Sequence, residues 1–351
     1  MTPIKFVVWN MEWLNDLFGP NDQPPAFRPD DETPYHTPHA TVRQRRDDLA
    51  GVIDELAPDV LVIVEGPNRA GELQLFFDED VAGQWQVQVQ YSKGQSQNNC
   101  VAVRVDGGKF DDPPFKFFDT NNIEAFDPFF VDTDDDEINE QHKFERRPLY
   151  VEVRPKEGRN FRVLGLHLKS KGIFKSYEWS KWWSMADANR RKILAQATQL
   201  RLGFLDPYLT VDETRHIPLI VCGDINDGPG LDASEKRLFG SAVERLMGTV
   251  WRPELCLHNA LYDTLKPAQQ ANLDFSHITT TSFRDPIFND TWHRVWIDHV
   301  LYTDNLDWRW VSGGAVHSIM QDGNPIWETY PHASDHFPIS VLVDTEATDP
   351  D

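Results

Sequence analysis

Six short stretches of this chain place polar side chains where an apolar run ends. "VVWNMEW" offers Asn10, with Glu12 two residues on, and "LVIVEGPN" offers Glu65. "LGLHLKSKG" supplies His167 and Lys169, and "VCGDINDGPG" supplies Asp224 and Asn226. "VWIDHVLY" carries Asp298, and "PHASDHFPI" carries Asp335 and His336. Singly these are ordinary: an Asp before a Gly/Pro turn is a turn residue, and a strand His is usually a satisfied structural group. Together they demand a reason for carboxylates to gather, and a hard divalent cation supplies one. Mg²⁺ takes oxygen ligands, usually one or two carboxylates with water and substrate phosphate, as Glu65 and Asp335 would provide. Asp224 and Asn226, alternate residues on one strand face, suit the holding and deprotonation of a water. Asp298 suits the orientation of a His, fixing its tautomer and supporting its cationic form against a phosphate oxygen.

Such groups need rigid elements beneath them. "IKFVVWN" reads as a strand, and residues 40–57 follow as a helix. In that helix Val42, Leu49, Val52, Ile53 and Leu56 recur at helical spacing, and Pro58 ends it. A short apolar strand, "DVLVIVEG", then finishes at Glu65-Gly66. The layout returns as "NFRVLGLHLKS", a polar Trp-rich stretch, a helix near 188–205, and "IPLIVCGD" ending in Asp224. Strand, helix and strand ending in a carboxylate therefore occur twice, which suggests two related halves packed face to face. "NCVAVRV", "PLYVEVR", "WIDHVLYT" and "HFPISVLVD" are further strands. Residues 15–40 and 111–145 read as long surface loops, because packed connections are short.

In their order the motifs resemble the endonuclease/exonuclease/phosphatase superfamily, which includes deoxyribonuclease I. They are "WN" with Asn10, "VEG" with Glu65, "FERRPL" with Arg146, "HLKS" with His167, "GDIND" with Asp224 and Asn226, "IDHVL" with Asp298, and "SDHFPI" with Asp335 and His336. "HLKSKG" before an Arg-rich helix looks like the bacterial extracellular-nuclease branch, though no export signal is legible here. The resemblance implies an α+β fold, a four-layer αββα sandwich: two mixed β-sheets face to face with helices outside. It implies one catalytic domain over residues 1–345, with surface insertions near 15–40 and 111–145 and an acidic tail at 346–351. It also implies roles. Glu65 is the principal metal ligand with Asn10 and Asp335 nearby, and Asp224 and Asn226 position the nucleophilic water. His336, paired with Asp298, and His167 flank the scissile phosphate, and Arg146 grips a neighbouring one. The two long loops are not part of the common pattern, so substrate contacts do not carry over.

The 351 residues have a net charge of −22, which by itself argues against a polyanionic partner. The charge is uneven. Residues 111–145 hold twelve Asp/Glu against Lys116 and Lys143, whereas residues 159–201 hold ten Lys/Arg against Glu178 and Asp187. Lys169 and Lys171 in that basic stretch are candidate substrate-binding residues. The neighbouring Tyr177, Trp179, Trp182 and Trp183 read either as base-stacking rings or as core positions of a helix. His36 and His39 in "HTPH" read as incidental, and "DTDDDE" lacks the spacing of a calcium loop. Three scattered cysteines, Cys100, Cys222 and Cys256, fit a reducing compartment. With no membrane-length apolar run and no leader pattern, a cytoplasmic location is expected.

The expectation is a Mg²⁺-dependent phosphodiesterase, with Mn²⁺ as alternative cofactor. It would be a nuclease cleaving DNA by in-line attack of an activated water. No membrane and no protein partner is implied. One rival keeps the chemistry and changes the substrate to a small phosphoester or phospholipid headgroup. The other is an inactive binding module, disfavoured because no motif residue is missing.

Overall fold

The computed structural model describes residues 3–94, 97–133, 136–172, 179–229, 238, 240–285, 291–303 and 310–346. Tyr177 and the tail beyond residue 346 lie outside them. The first sheet runs β15 (Val311–Val316), β16 (Ile339–Val343), β1 (Ile4–Asn10), β2 (Val60–Gly66), β4 (Asn98–Arg104), β3 (Trp85–Gln90). The second runs β11 (Leu257–Asn259), β14 (Asp298–Thr303), β10 (Leu219–Asp224), β9 (Phe161–His167), β8 (Leu149–Pro155), β5 (Phe110–Phe117). Each sheet is built around one parallel pair, β1 with β2 and β9 with β10, flanked by antiparallel neighbours. The doubled strand–helix–strand pattern is therefore the centre of each half.

Period-two alternation sorts the strand residues into layers. Phe6 and Val8 of β1, Val62 of β2, Val163 of β9 and Cys222 of β10 meet in the core between the sheets. Val7 and Trp9 face the other way, onto Val42, Leu49, Val52 and Ile53 of α1 (Val42–Leu56). Leu164, Leu166 and Val221 likewise face Ile193 and Ala197 of α3 (Trp182–Gln199); α2 is Ala70–Asp80. The result is the αββα sandwich. α1 starts at Thr41, whose side chain accepts from the Gln44 N–H while Gln44 reaches back to the Thr41 N–H, a reciprocal cap. Its buried apolar side chains each contribute roughly 1.5–3 kcal/mol of gross burial energy, which fixes the helix against β1 and β2.

Three expectations change in detail. The second helix begins at Trp182 rather than near 188, and it runs on through a π-helical turn, Leu200–Leu205. Its buried face includes Ala186, Ile193, Leu194 and Ala197, while Trp183 is 58% exposed, so Trp183 is not on its core face. The 15–40 and 111–145 segments are not wholly superficial. Leu17 and Phe18 enter the α1-side core, and Phe126, Phe129 and Phe144 enter the α3-side core. Within the second segment β6 (Phe129–Val131) and β7 (Glu140–His142) form a hairpin. A second hairpin, β12 (Thr281–Asp285) with β13 (Thr291–Val295), stands beside β14.

Candidate active site

All eight motif residues beyond Arg146 converge where β1, β2, β9 and β10 end and β14 begins, with Asp335 and His336 on the loop that leads into β16. Their delivery requires departures from regular strand geometry. In β2, Leu61 and Ile63 face α1, and continued alternation would put Glu65 on that side. A register irregularity between Ile63 and Gly66, with Glu65 at φ 62°, turns its carboxylate into the site instead. Gly223 in β10 has φ 126°, and a Cβ there would lie 2.1 Å from the Leu166 carbonyl oxygen. Only glycine lets β10 approach β9 so closely and still deliver Asp224. Asn226 (φ 57°) and Glu12 (φ 42°) are also left-handed, a conformation that costs a non-glycine residue energy and concentrates at functional sites.

Asn10 stands between the sheets' contributions. Its Nδ2 lies 3.4 Å from Glu65 Oε1, 3.2 Å from Asp224 Oδ2 and 3.5 Å from His336 Nε2. Its Oδ1 accepts the Glu12 N–H at 3.0 Å, so Asn10 turns its amide hydrogens, not its oxygen, toward the carboxylates. Glu65 Oε2 accepts from the Trp13 N–H (2.9 Å) and from Gln97 Nε2 (2.6 Å). Asp224 Oδ1 accepts the Asn226 N–H at 2.9 Å, and Asn226 Nδ2 donates to the Leu168 carbonyl at 3.2 Å.

The two histidines are opposites. His336 Nδ1 is 2.8 Å from Asp298 Oδ2, and its Nε2 faces Asp335 (3.8 Å) and Asp224 (4.0 Å). Burial pushes its pKa down, but Asp298 and Asp335 outweigh that and hold it well above the ordinary value. His336 is an imidazolium. His167 is fully enclosed, and its Nε2 meets Arg146 Nη2 at 2.8 Å. Burial, then the Arg146 charge, hold it well below the ordinary histidine value. It is neutral, and because Arg146 can only donate, His167 Nε2 is an acceptor and Nδ1 bears the hydrogen. That Nδ1 and Arg146 Nε are buried without partners among the described residues.

Three of the carboxylates, Asp224, Glu65 and Glu12, are held above their usual range. Burial and the Asp298 charge raise Asp224 to about 7, and burial raises Glu65 despite the Trp13 N–H. Burial and Asp335 raise Glu12 to about 7, against the pull of Arg45. Five acidic groups from five segments (Glu12, Glu65, Asp224, Asp298 and Asp335) thus share one rim with too little positive charge, which fits an oxygen-ligated divalent cation. Asp224, Asp298 and His336 each bring a ligand-capable atom within 4.8 Å of the others. The Asp298–His336 hydrogen bond makes that trio an ion pair first. Glu12, Glu65 and Asp335 act on one another's charge at the same rim and bring only oxygen atoms to it.

Sequence reasoning left Glu12 beside Asn10 without a role, and it missed Gln97 and Arg45. Arg45 is fully buried and donates to the carbonyls of Met11 (3.0 Å), Glu12 (2.5 Å) and His332 (3.3 Å). It thereby ties the Glu12 turn to the loop carrying Asp335 and His336. The signal was its place on the apolar face of α1, between Val42 and Leu49. Of the candidate substrate contacts, Lys169 is half-buried at the Arg146 side, its Nζ on the Ser170 carbonyl at 2.9 Å. Lys171 is not an unattached cation: its Nζ is 2.5 Å from the buried Asp227. Among the described residues His36 and His39 gather no acidic ligand set. His36 stacks on Trp13, with ring centroids 3.6 Å apart, and binds Asp16 at 2.8 Å.

No family model matches this chain, and no curated protein matches it. Among solved structures it superposes on a "functionally unknown conserved protein" from Enterococcus faecalis V583, at 14% identity and a TM-score of 0.50, over 98% of this chain and 100% of that one. It also superposes on D. rerio TDP2 complexed with a single-strand DNA product (13% identity, TM-score 0.48, 97% and 99% covered). A third is the AP endonuclease of Leishmania major (13% identity, TM-score 0.49, 98% and 88% covered). At such identities the likeness is one of fold. The chain has the α+β, four-layer αββα architecture of the superfamily that its motifs resemble.

Proposed function

We propose that this chain is a divalent-metal-dependent phosphodiesterase, a nuclease that hydrolyses DNA with Mg²⁺ as its cofactor. The observation that carries this reading is the meeting of buried carboxylates from both sheets, Glu65 and Asp224, on the single amide of Asn10 (3.4 and 3.2 Å). Glu65, Glu12 and Asp335 would hold the cation. Bound there, it would supply charge to a phosphate oxygen.

The protein's own groups account for the rest. Asp224, held by the Asn226 N–H and raised to about 7, accepts a proton from water near neutral pH. His336, charged and anchored by Asp298, donates from Nε2 to a phosphate oxygen as charge builds there. Arg146 offers its guanidinium to phosphate beside the neutral His167. Water attacks phosphorus as the opposite P–O bond breaks, so no covalent enzyme intermediate forms. Described Cys100, Cys222 and Cys256 are all free thiols, which supports a cytoplasmic setting.

The −22 charge favours a second reading, hydrolysis of a small phosphoester or lipid headgroup. The deciding experiment incubates purified protein with Mg²⁺, Mn²⁺ or EDTA. Its substrates are single- and double-stranded DNA, RNA and small phosphodiesters. Cation-dependent cleavage of DNA in preference to the rest is expected. Turnover of the small esters alone would transfer the site to the second reading, and hydrolysis unaffected by EDTA would remove the metal.

A further inference from the structure

Beside the His336–Asp298 pair lies a cleft of about 880 Å³, within the size range of sites that enclose a whole small ligand. Asn226, Asp335 and His336 line it, so it adjoins the catalytic rim. Phe275, Trp296 and Arg294 line it as well. Trp296 is locked: its Nε1–H donates to the Asp298 carbonyl at 3.1 Å, and its ring stacks on buried His299 (centroids 4.9 Å apart). Phe275 meets Trp296 edge-on at 5.6 Å, which leaves Phe275 half-buried on the cleft wall.

The cations along this wall differ in availability. Lys171 is bound to Asp227 and His336 to Asp298, and Arg190, also on the lining, is engaged as well. Arg294 is exposed, and among the described residues its guanidinium makes no hydrogen bond or ion pair. It also lines a second cavity of about 450 Å³, so it stands where the two spaces meet. Its backbone position is rigidly tied to the site. Arg294 pairs with Ser282 across the β12–β13 hairpin, and the Ser282 N–H donates to the Asp335 carbonyl at 3.1 Å. Thr281 bridges His336 and its Oγ1 donates to the same Asp335 carbonyl at 2.7 Å. Arg294 therefore sits about two strand spacings, roughly 10 Å, from the backbone that carries His336.

We propose that Arg294 is a substrate-binding residue that grips a second phosphate of the substrate. The nucleoside between that phosphate and the scissile one would rest in the cleft, against Phe275. This rests on the phosphodiesterase reading above and names what that site selects: a diester whose flanking nucleoside bears a further phosphate. An aromatic wall accepts any base face, and a free guanidinium pairs with phosphate in a bidentate fork, so the selection is for phosphate spacing rather than base identity.

The test uses the full-length protein with Mg²⁺ and three dinucleotides: an unphosphorylated dithymidylate, one with an added 5′-phosphate and one with an added 3′-phosphate. In the wild-type protein one added phosphate should lower KM about tenfold with little change in kcat. Arg294→Gln should reduce that preference to about one, and Arg294→Lys should restore part of it, since an ammonium keeps the charge without the fork. If neither phosphate lowers the wild-type KM, or if the gain survives in Arg294→Gln, the proposal is overturned while the phosphodiesterase reading stands. If no phosphodiester is hydrolysed with any divalent cation, that reading falls and takes the proposal with it.

Discussion

His336 shows what a residue gains from its neighbour. Asp298 takes Nδ1 at 2.8 Å, which leaves Nε2–H free to face the site and keeps the ring charged. Asp298 is itself held by the Thr280 hydroxyl on its backbone N–H (3.1 Å). His336→Gln and Asp298→Asn should each lower kcat by about 10²–10⁴. Because the two act as one group, the double variant should be little worse than the poorer single one, and losses that multiply would show that they work separately. Glu65 is testable without turnover. A cation at 100 times its Kd adds about 2.7 kcal/mol of stability, so Mg²⁺ should raise the melting temperature of the wild type. Glu65→Gln should abolish that rise, and an unchanged rise would move the metal elsewhere. Buried His299 titrates oppositely to His336. Its Nε2–H donates to the Asp227 carbonyl (2.9 Å), and its Nδ1 faces Asn259 Nδ2 (3.2 Å). Asn259 cannot turn round, because its Oδ1 accepts from the Leu261 and Tyr262 N–H groups. The neutral ring is therefore specified, and burial lowers its pKa to about 4. The unfolded chain protonates first as pH falls, so this stability is whole above about pH 6.5 and is lost as pH falls toward 4, up to a limit on the order of 3 kcal/mol. His299→Gln should flatten denaturation free energy against pH by about one proton's slope across that window. An unchanged slope would mean that His299 is charged in the fold.

At the scale of elements, the sequence showed which strands exist but not how their ends are aimed. The apolar run in β10 and the helical spacing in α1 state burial directly, so the doubled strand–helix–strand units could be read from them. The aim of Glu65 could not, since it depends on a β2 irregularity against β4 that leaves no local composition mark. Arg45 was hidden for the opposite reason. A charged residue on an apolar face looks like surface until the carbonyls of Met11, Glu12 and His332 are seen around it. The β12–β13 hairpin escaped because two five-residue strands of mixed polarity carry too weak an alternation. Gly223 carries a prediction at this scale. Gly223→Ala would force a Cβ into the Leu166 carbonyl of β9 at a backbone angle that disfavours side chains. A loss of roughly 3 kcal/mol or more is expected from the denaturant midpoint, with activity falling in any fraction that still folds. A variant as stable as the wild type would mean that β9 and β10 separate more easily than their register implies.

On the proposed nuclease reading, the question for the whole molecule is how a chain of net charge −22 approaches a polyanion. The basic stretch at 159–201 contributes less than its count suggests, because part of it is spent on the fold. Lys171 is bound to Asp227, Arg201 to Asp206, and Arg162 to Glu152. Arg146 and Lys169 remain on the His167 side of the centre, and Arg294 on the His336 side. Lys169 is held below its usual lysine range by burial and then by Arg146, which places both charges together. A substrate strand crossing the rim would meet a small positive group on each flank, within a molecule of negative net charge. Each phosphate neutralised releases counterions, giving a slope of log affinity against log salt of about −0.9 per contact on duplex and about −0.7 on single strands. A shallow slope, equivalent to about two to four contacts, is therefore expected from oligonucleotide KM measured against salt. Lys169→Gln should reduce that slope by about one contact, and Lys171→Gln should leave it nearly intact while lowering thermal stability, because buried Asp227 would lose its partner. A steep slope, of about six contacts or more, would show that the cations at the start of α3 and along it, Lys181, Arg190 and Lys192, reach the substrate as well. A slope that falls with Lys171→Gln would show that the Asp227 pair opens when substrate binds.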